Sequence, residues 1–228
     1  MGWSALKAFM GGDIQTGVII LMSGVFVLFV SLSFHECAHA FIANKLGDPT
    51  ALYSGRITMN PFKHLDPFGS LLILTVGFGW AKPVPVNTRN FRHPRRDMAL
   101  TALAGPASNL ILAFVSLLIL YIIWAVSGIP NSDFLQNLNT FIGAFVGINI
   151  SLAIFNLVPI PPLDGSRILT YFLPDRAIDT LQRLEPFFPF ILMFIMISGT
   201  LSTPIWVVSG WVYDGFSALL GLIFRPFF

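Results

Sequence analysis

The chain has 228 residues, of which 55% are hydrophobic and only 11% are charged. Because a soluble domain carries about 25% charged residues, this composition excludes an ordinary soluble protein and predicts a polytopic membrane protein in contact with the lipid bilayer. The net charge of +2 is small, and we expect no nucleic-acid partner. The single cysteine excludes an intrachain disulfide.

The first predicted helix runs from Ile14 to Ala43. Its part from Ile14 to Phe34 carries no charge and can cross about 30 Å of hydrocarbon. Residues 47–49, Gly-Asp-Pro, then end the helix. Residues 50–97 contain seven of the 13 Lys and Arg residues. By the positive-inside rule, this segment is predicted to lie in the cytoplasm and the N-terminus outside the cell.

A shorter apolar stretch, Ser70–Phe78, follows in the basic segment and cannot span a bilayer. We predict a re-entrant or interfacial element with extended character over Leu71–Val76, continued by Gly77–Trp80. Lys82–Val86 alternates and contains two prolines, so it suits an edge strand rather than a central one. A small membrane-associated β element is therefore expected between the first two spans.

Further apolar segments complete an all-α fold class with about five to six transmembrane helices. The predicted later spans are Met98–Ser127, Thr140–Val158, Pro186–Ser198 and Pro204–Phe224. Basic residues follow the third span, and Arg225 follows the last one, so the C-terminus is predicted to be cytoplasmic. The number of spans depends on Pro186–Ser198, which is short and contains Pro189.

Residues 33–40 carry the pattern H-E-x-x-H at the end of the first span. His35 and His39 are four residues apart, so on a helix both imidazoles can reach one Zn²⁺ at about 2 Å. Glu36 is placed to take a proton from a water on the metal. Ionisable groups beside hydrocarbon are costly unless they serve a function, which favours a metal site over two interfacial histidines. Cys37 points to a different face, and we interpret it as packing.

A catalytic zinc site has three protein ligands and an open position. The predicted topology places the end of the third span on the same side as the H-E-x-x-H pattern, and Asp164 lies there. Asp164 by itself also fits a helix N-cap in a proline-rich turn, and Glu185 is an alternative third ligand. His64 and Asp66 could form a second metal site, although loop positions near the interface are the simpler interpretation.

Two separated motifs carry a family resemblance. One is H-E-x-x-H, and the other is N-x-x-P-x-P-P-L-D-G, which spans residues 156–165 at the end of another predicted span. Together they resemble the site-2 protease family of intramembrane zinc metalloproteases. The resemblance covers about residues 15–170 and extends to Gly105–Asn109 and to the Gly-Phe-Gly turn at 77–79.

The resemblance implies one Zn²⁺ per chain and cleavage of transmembrane segments of membrane proteins near the cytoplasmic face. The implied site residues are the metal ligands His35, His39 and Asp164, the general base Glu36, Asn156 beside the metal, and the substrate-contacting Gly77, Phe78, Gly79 and Asn109. The element over residues 70–86 would hold an unwound substrate by strand addition. We expect one membrane-embedded domain over 1–228, with the catalytic core at about 14–173 and C-terminal helices over 174–228, and no PDZ insertion or CBS tail.

The alternative interpretation is a divalent-metal transporter or a metal-binding membrane protein. Such a protein would use the same His and Asp side chains but would not need Glu36. Transporters usually contain inverted repeats or paired discontinuous helices, and the sequence displays neither pattern. Imidazole and carboxylate also suit iron or cobalt, so the choice of zinc follows the family resemblance.

Overall fold

The computed structural model describes residues 2–75, 81–127 and 132–225. Within these ranges the chain is almost entirely helical. The α-helices are α1 (Gly2–Met10), α2 (Ile14–Phe26), α3 (Leu32–Lys45), α4 (Thr50–Tyr53), α5 (Pro67–Thr75), α6 (Pro94–Ser127), α7 (Asp133–Asn156), α8 (Asp164–Phe172), α9 (Asp175–Leu184), α10 (Phe188–Ser198) and α11 (Ser202–Phe224).

The first spanning helix is formed by α2 and α3 together. Asp13 caps its N-terminus by accepting a hydrogen bond from the backbone N–H of Thr16 at 2.9 Å. A π-helical turn over Val27–Ser31 joins the two parts into one helix of 32 residues, Ile14–Lys45. The helix ends at Lys45, and the turn that follows contains Gly47, whose φ of 110° suits a residue without a side chain. The π-turn ends one helical turn before His35, and such turns are frequent at functional sites.

Four helices in the described ranges are long and apolar enough to cross a membrane. They are Ile14–Lys45, Pro94–Ser127, Asp133–Asn156 and Ser202–Phe224. The predicted span Pro186–Ser198 instead contains the 11-residue helix α10, which is about 16 Å long and therefore shorter than the hydrocarbon core. The chain is thus a helical membrane protein, and the prediction of five to six spans is not confirmed.

Helix α6 lies at the centre of the bundle and packs against α3, α7, α8 and α11. The largest apolar cluster joins α6, α7 and α11, and its fully buried members include Leu117, Ile150 and Leu220. Each such side chain contributes about 1.5–3 kcal/mol when it is removed from water, but less between lipid-solvated helices, where close packing matters more. The other face of α6 is thereby left to α3 and α8.

The C-terminal helix runs parallel to α6. Phe114 of α6 packs against Phe216, and Tyr121, two turns further along α6, packs against Phe224. The end of α11 therefore lies beside the end of α6 that is remote from Pro94. The prediction that the C-terminus and the H-E-x-x-H pattern share one end of the bundle is therefore not supported, because the last described helix runs away from that end.

The apolar stretch after Asp66 is helical rather than extended. Asp66 caps α5 by accepting the backbone N–H of Gly69 at 2.8 Å, and Pro67 supplies a first residue whose φ is already helical. The predicted extended conformation is therefore wrong for Leu71–Thr75. An N-cap followed by proline is a helix-start signal, and it decides the conformation of this short apolar run.

Only one β-bridge is present in the described parts of the chain around this helix. Leu65 and Ala81 form the isolated antiparallel bridge, and the backbone N–H of Lys82 donates to the carbonyl of His64 at 2.8 Å. The predicted β element is thus not confirmed beyond this bridge. Residues 76–80 lie outside the described residues, and they include the predicted substrate-contacting Gly77, Phe78 and Gly79.

Candidate active site

The two histidines of the H-E-x-x-H pattern lie on one buried face of α3. His35 is 5% exposed and His39 is 8% exposed, and their ring centroids are 4.6 Å apart. His39 Nδ1 lies 2.7 Å from the backbone carbonyl oxygen of Thr101 on α6. Since a carbonyl only accepts, Nδ1 must carry the proton, which leaves the Nε2 lone pair of the neutral ring free to bind a metal.

Asp164, the first residue of α8, brings its carboxylate to the two imidazoles. Its Oδ2 atom lies 3.1 Å from His35 Nε2 and 3.3 Å from His39 Nε2. Two ligand atoms that are each 2.0 Å from a tetrahedral metal are about 3.3 Å apart, so this spacing fits a zinc ion between them. Asp164 Oδ2 is buried and accepts no hydrogen bond from the described residues. These three side chains therefore fit the ligand set of a zinc site.

The alternative ligands do not join this group. In the described part of the chain, His35, His39 and Asp164 form the one cluster with metal-binding spacing. Glu185 is exposed, in a short turn after α9. His64 Nε2 instead bonds the carbonyl of Thr58 at 2.8 Å. Asp66 is occupied as the cap of α5, so these two residues do not form a second metal site.

Gly105 of α6 provides the space in which the two imidazoles lie. A Cβ atom at this position would be 2.4 Å from His39 Nε2 and 2.6 Å from His35 Cε1. Real Cβ atoms essentially never approach other atoms so closely, so any other residue would push the rings aside. Gly105 belongs to the motif that carries the family resemblance, but its role could not be predicted from sequence, because the contact depends on how closely α3 and α6 approach.

A second glycine, Gly165, fixes the position of Asp164. A Cβ at Gly165 would be 2.2 Å from the carbonyl oxygen of Leu157, so the start of α8 packs directly on the backbone that follows α7. Asn156 is the last residue of α7, and its Nδ2 donates to the carbonyl of Leu152 at 3.0 Å. The tight turn therefore ties the end of α7, where Asn156 lies, to the position of Asp164.

Glu36 has a buried cation in its surroundings that sequence analysis missed. Glu36 is 9% exposed and Arg56 is 6% exposed. Arg56 donates from Nη1 to the carbonyl of Pro83 at 3.1 Å and from Nη2 to the carbonyl of Lys82. Burial lowers the pKa of the Arg56 guanidinium, and the nearby negative charge of Glu36 opposes this shift. Arg56 thus links the H-E-x-x-H helix to the segment at 81–83.

Asn109 lies on the face of α6 that also carries Thr101 and Gly105. Residues four apart share a helix face, so Asn109 is one turn beyond the glycine that contacts the imidazoles. Its side chain is 0% exposed, and its Nδ2 atom has no hydrogen-bond acceptor in the described residues. A buried amide donor without an acceptor is costly, so packing within this chain does not explain an asparagine at this position.

Comparisons with known proteins find a peptidase family and several related proteins. A family model described as "Peptidase family M50" matches residues 125–198. The chain is 43% identical over 204 residues to "Putative zinc metalloprotease YwhC" of Bacillus subtilis (strain 168), which covers 89% of this chain and 92% of that protein. It is 32% identical over 215 residues to "Putative zinc metalloprotease Rip2" of Mycobacterium tuberculosis (strain ATCC 25618 / H37Rv), covering 84% and 75% respectively.

No solved structure matches the chain significantly. The alignment with the Bacillus protein nevertheless covers nearly the whole of both chains. The chain therefore belongs to peptidase family M50, the site-2 protease family, and is a zinc metalloprotease.

Proposed function

We propose that the protein is an intramembrane endopeptidase that uses one Zn²⁺ to cleave transmembrane segments of membrane proteins near the cytoplasmic face. The observation that carries this proposal is the convergence of His35 and His39, from the first spanning helix, with Asp164, from α8, inside a helical membrane bundle. A hydrolytic site in that position acts on peptide bonds that enter from the bilayer.

Helix α6 gives the depth of the site. Its charged residues Arg95, Arg96 and Asp97 mark the boundary of the apolar region at its N-terminal end. Gly105, beside the imidazoles, is nine residues beyond Arg96, which is about 13 Å along the helix. This distance supports a site within the hydrocarbon depth, towards the arginine-rich end. By the positive-inside rule this end is cytoplasmic, so four spans would place both chain termini outside.

We assign the metal to His35, His39 and Asp164. Zinc, when bound there, supplies a Lewis acid that polarises the scissile carbonyl and acidifies a coordinated water. Glu36, next to the first ligand, accepts the proton from the attacking water and delivers it to the leaving amine. The carbonyl of Thr101 holds His39 in the tautomer that binds the metal.

Asn156 and Asn109 are assigned to the substrate. We place the amide of Asn156 near the scissile carbonyl, where a donor stabilises the negative charge that develops on its oxygen. Support comes from the Gly165 contact, which fixes the end of α7 next to Asp164. The unpaired Nδ2 of Asn109 would donate to a substrate backbone carbonyl that unwinding has exposed.

A transmembrane substrate must unwind before its backbone can be attacked, because helical hydrogen bonds occupy its amides. We propose that the segment after Ala81 replaces those bonds by strand pairing. Val84 and Val86 have no hydrogen-bond partner for their backbones in the described residues, so this edge is free. Arg56 holds the start of the segment at the carbonyls of Lys82 and Pro83.

The test is a comparison of Glu36→Gln with the unsubstituted protein in detergent, by zinc content and by cleavage of transmembrane peptides. We expect the variant to retain its zinc and to lose cleavage by at least about 100-fold, since it lacks the proton acceptor. Glu185→Gln is the matched control and should keep both properties. Equal cleavage by Glu36→Gln and the unsubstituted protein would contradict the assigned base.

A further inference from the structure

Asp214 is an exposed carboxylate halfway along the last spanning helix. It is the thirteenth residue of α11, about 18 Å from the start of a helix that is about 34 Å long. Its side chain is exposed, and no hydrogen bond or ion pair joins it to any residue that the structure describes. An ionisable group at this depth is expensive in lipid and is normally paired, so the isolated protein leaves it incomplete.

The two sides of α11 have different surroundings. One side packs on α6 and α7 through residues such as Val212, Phe216 and Leu220. The opposite side, here called the α11 outer face, is exposed in the bundle. It consists of Trp211, Asp214, Gly215, Ala218 and Leu222, which follow helical spacing.

The α11 outer face also permits close approach of another helix. A Cβ at Gly215 would meet nothing within 4 Å, so the absence of a side chain there is not required by the packing of this chain. Gly215 and Ala218 instead leave a shallow depression in the helix surface next to Asp214. The side chains of Trp211 and Leu222, which are 70% and 72% exposed, project before and after this depression along the helix. Small residues at such a surface let two membrane helices pack closely.

We propose that the α11 outer face docks a transmembrane helix of another membrane protein, and that this helix carries a Lys or Arg near the middle of the bilayer. The charge of Asp214 sets the chemistry of the partner, because a cation at the same depth removes the cost of both charges at once. Gly215 and Ala218 allow the two backbones to approach until the charged groups meet.

A second copy of this chain fits the α11 outer face less well. The basic residues of the four spanning helices in the described ranges lie at the helix ends, as Lys45, Arg95 and Arg96 do. None is therefore at the depth of Asp214, and a symmetric pair of α11 helices would bring two carboxylates together. The partner is accordingly a different chain, and the proposal does not depend on the peptidase reaction.

The experiment uses energy transfer between the labelled full-length protein and labelled 23-residue Leu/Ala transmembrane peptides in phosphatidylcholine vesicles. One peptide carries a single central Lys, and the other carries Leu at that position. We expect the Lys peptide to bind at least about 10-fold more tightly than the Leu peptide. Asp214→Leu should abolish the difference, Asp214→Asn should reduce it, and Gly215→Leu should weaken binding of the Lys peptide.

Asp133→Asn removes an exposed carboxylate at the start of α7 and serves as the matched control, which should keep the preference. Zinc content and helical circular dichroism establish that each variant is folded, and Asp214→Asn tests the charge if Asp214→Leu does not fold. Equal binding of both peptides to the unsubstituted protein would overturn the proposal. It would also be overturned if the copies associated with one another through α11 and Asp214→Leu abolished that association.

Discussion

The part of the chain that carries the site and the C-terminal part differ in whether their polar side chains are buried and paired. In α3 the ionisable residues His35, Glu36 and His39 are buried, and α6 and α8 supply partners for the two histidines. In α9 no side chain is buried, and among the described side chains of α10 only that of Leu192 is buried. Asp214 of α11 is exposed and unpaired within the described residues.

This difference separates the part of the fold in which close packing fixes the side chains from the part whose surface is exposed. At the site, two glycines let helices approach until the ligands have almost no freedom, as Gly105 does at the imidazoles and Gly165 does at Asp164. In α11 the glycine Gly215 has open space around it. Substitutions should therefore be severe at the site glycines and mild within the isolated protein at the outer face of α11.

The largest effect is expected for Gly105→Ala. The added methyl group would lie 2.4 Å from His39 Nε2, so the imidazoles must move and the zinc affinity should fall by at least about 100-fold. Zinc per chain, measured by mass spectrometry after purification, checks this, together with peptide cleavage. Gly143→Ala is the control, because a Cβ there meets nothing within 4 Å. Normal zinc content in Gly105→Ala would contradict the close approach of α3 and α6.

An intermediate effect is expected for Arg56→Met, which removes the buried cation but none of the zinc ligands. Two charge-assisted hydrogen bonds to carbonyls are lost, each contributing about 1.5–3 kcal/mol, so the melting temperature in detergent should fall by several degrees. Cleavage should fall as well, whereas zinc content should remain close to normal. Arg89→Met at an exposed position is the control and should melt normally. An unchanged melting temperature and cleavage rate in Arg56→Met would contradict the role of Arg56 in holding the segment at 81–83.

A smaller effect is expected for Asp48→Ala at the end of α3. Asp48 is fully buried and accepts hydrogen bonds from Asn87 N and Asn90 Nδ2, both at 2.7 Å, so it holds the segment before α6 against α3. Burial alone would raise the pKa of Asp48, but hydrogen bonds from Thr50, Asn90 and Asn87 outweigh it and lower the pKa below its usual value. We expect Asp48→Ala to cost about 1–3 kcal/mol of stability at pH 7.

The sign of the pH dependence follows from the lowered pKa of Asp48. A carboxyl group whose pKa is lower in the folded state contributes stability above its unfolded pKa, and this contribution is lost as the pH falls through the folded-state value. The difference in melting temperature between the unsubstituted protein and Asp48→Ala should therefore shrink below about pH 4. Asp179→Ala, at an exposed position, should have nearly the same melting temperature as the unsubstituted protein both at neutral pH and in acid. A difference that grows on acidification would contradict the lowered pKa.

Sequence alone predicted that the chain is a membrane protein and that one helix carries His35 and His39. It also predicted that Asp164 lies beside the two histidines. His35 and His39 follow from helical spacing alone, and Asp164 followed from the resemblance of its motif. Gly105 and Arg56 could not be assigned roles in this way, because their contacts arise from the packing of distant segments. The carbonyl of Thr101 gives no sequence signal at all, since every residue has one.

The errors of sequence interpretation came from two short apolar segments. Ser70–Phe78 was expected to be partly extended, but the cap at Asp66 starts a helix there. Pro186–Ser198 was predicted to be a span, but its helix is only about 16 Å long, and the end of α11 lies at the other end of the bundle from the H-E-x-x-H pattern. Capping determines that the first segment is helical rather than extended, and helix length determines that the second is too short to span a bilayer. Hydrophobicity alone distinguishes neither pair of possibilities.

The zinc content of Asp164→Asn, compared with that of Glu185→Gln, tests the central claim most directly. We predict that Asp164→Asn loses zinc affinity by at least about 10-fold, because it removes a charged ligand that lies 3.1 Å from His35 Nε2 and 3.3 Å from His39 Nε2. Glu185→Gln should bind zinc like the unsubstituted protein. Full zinc content in Asp164→Asn together with loss in Glu185→Gln would contradict the site described above.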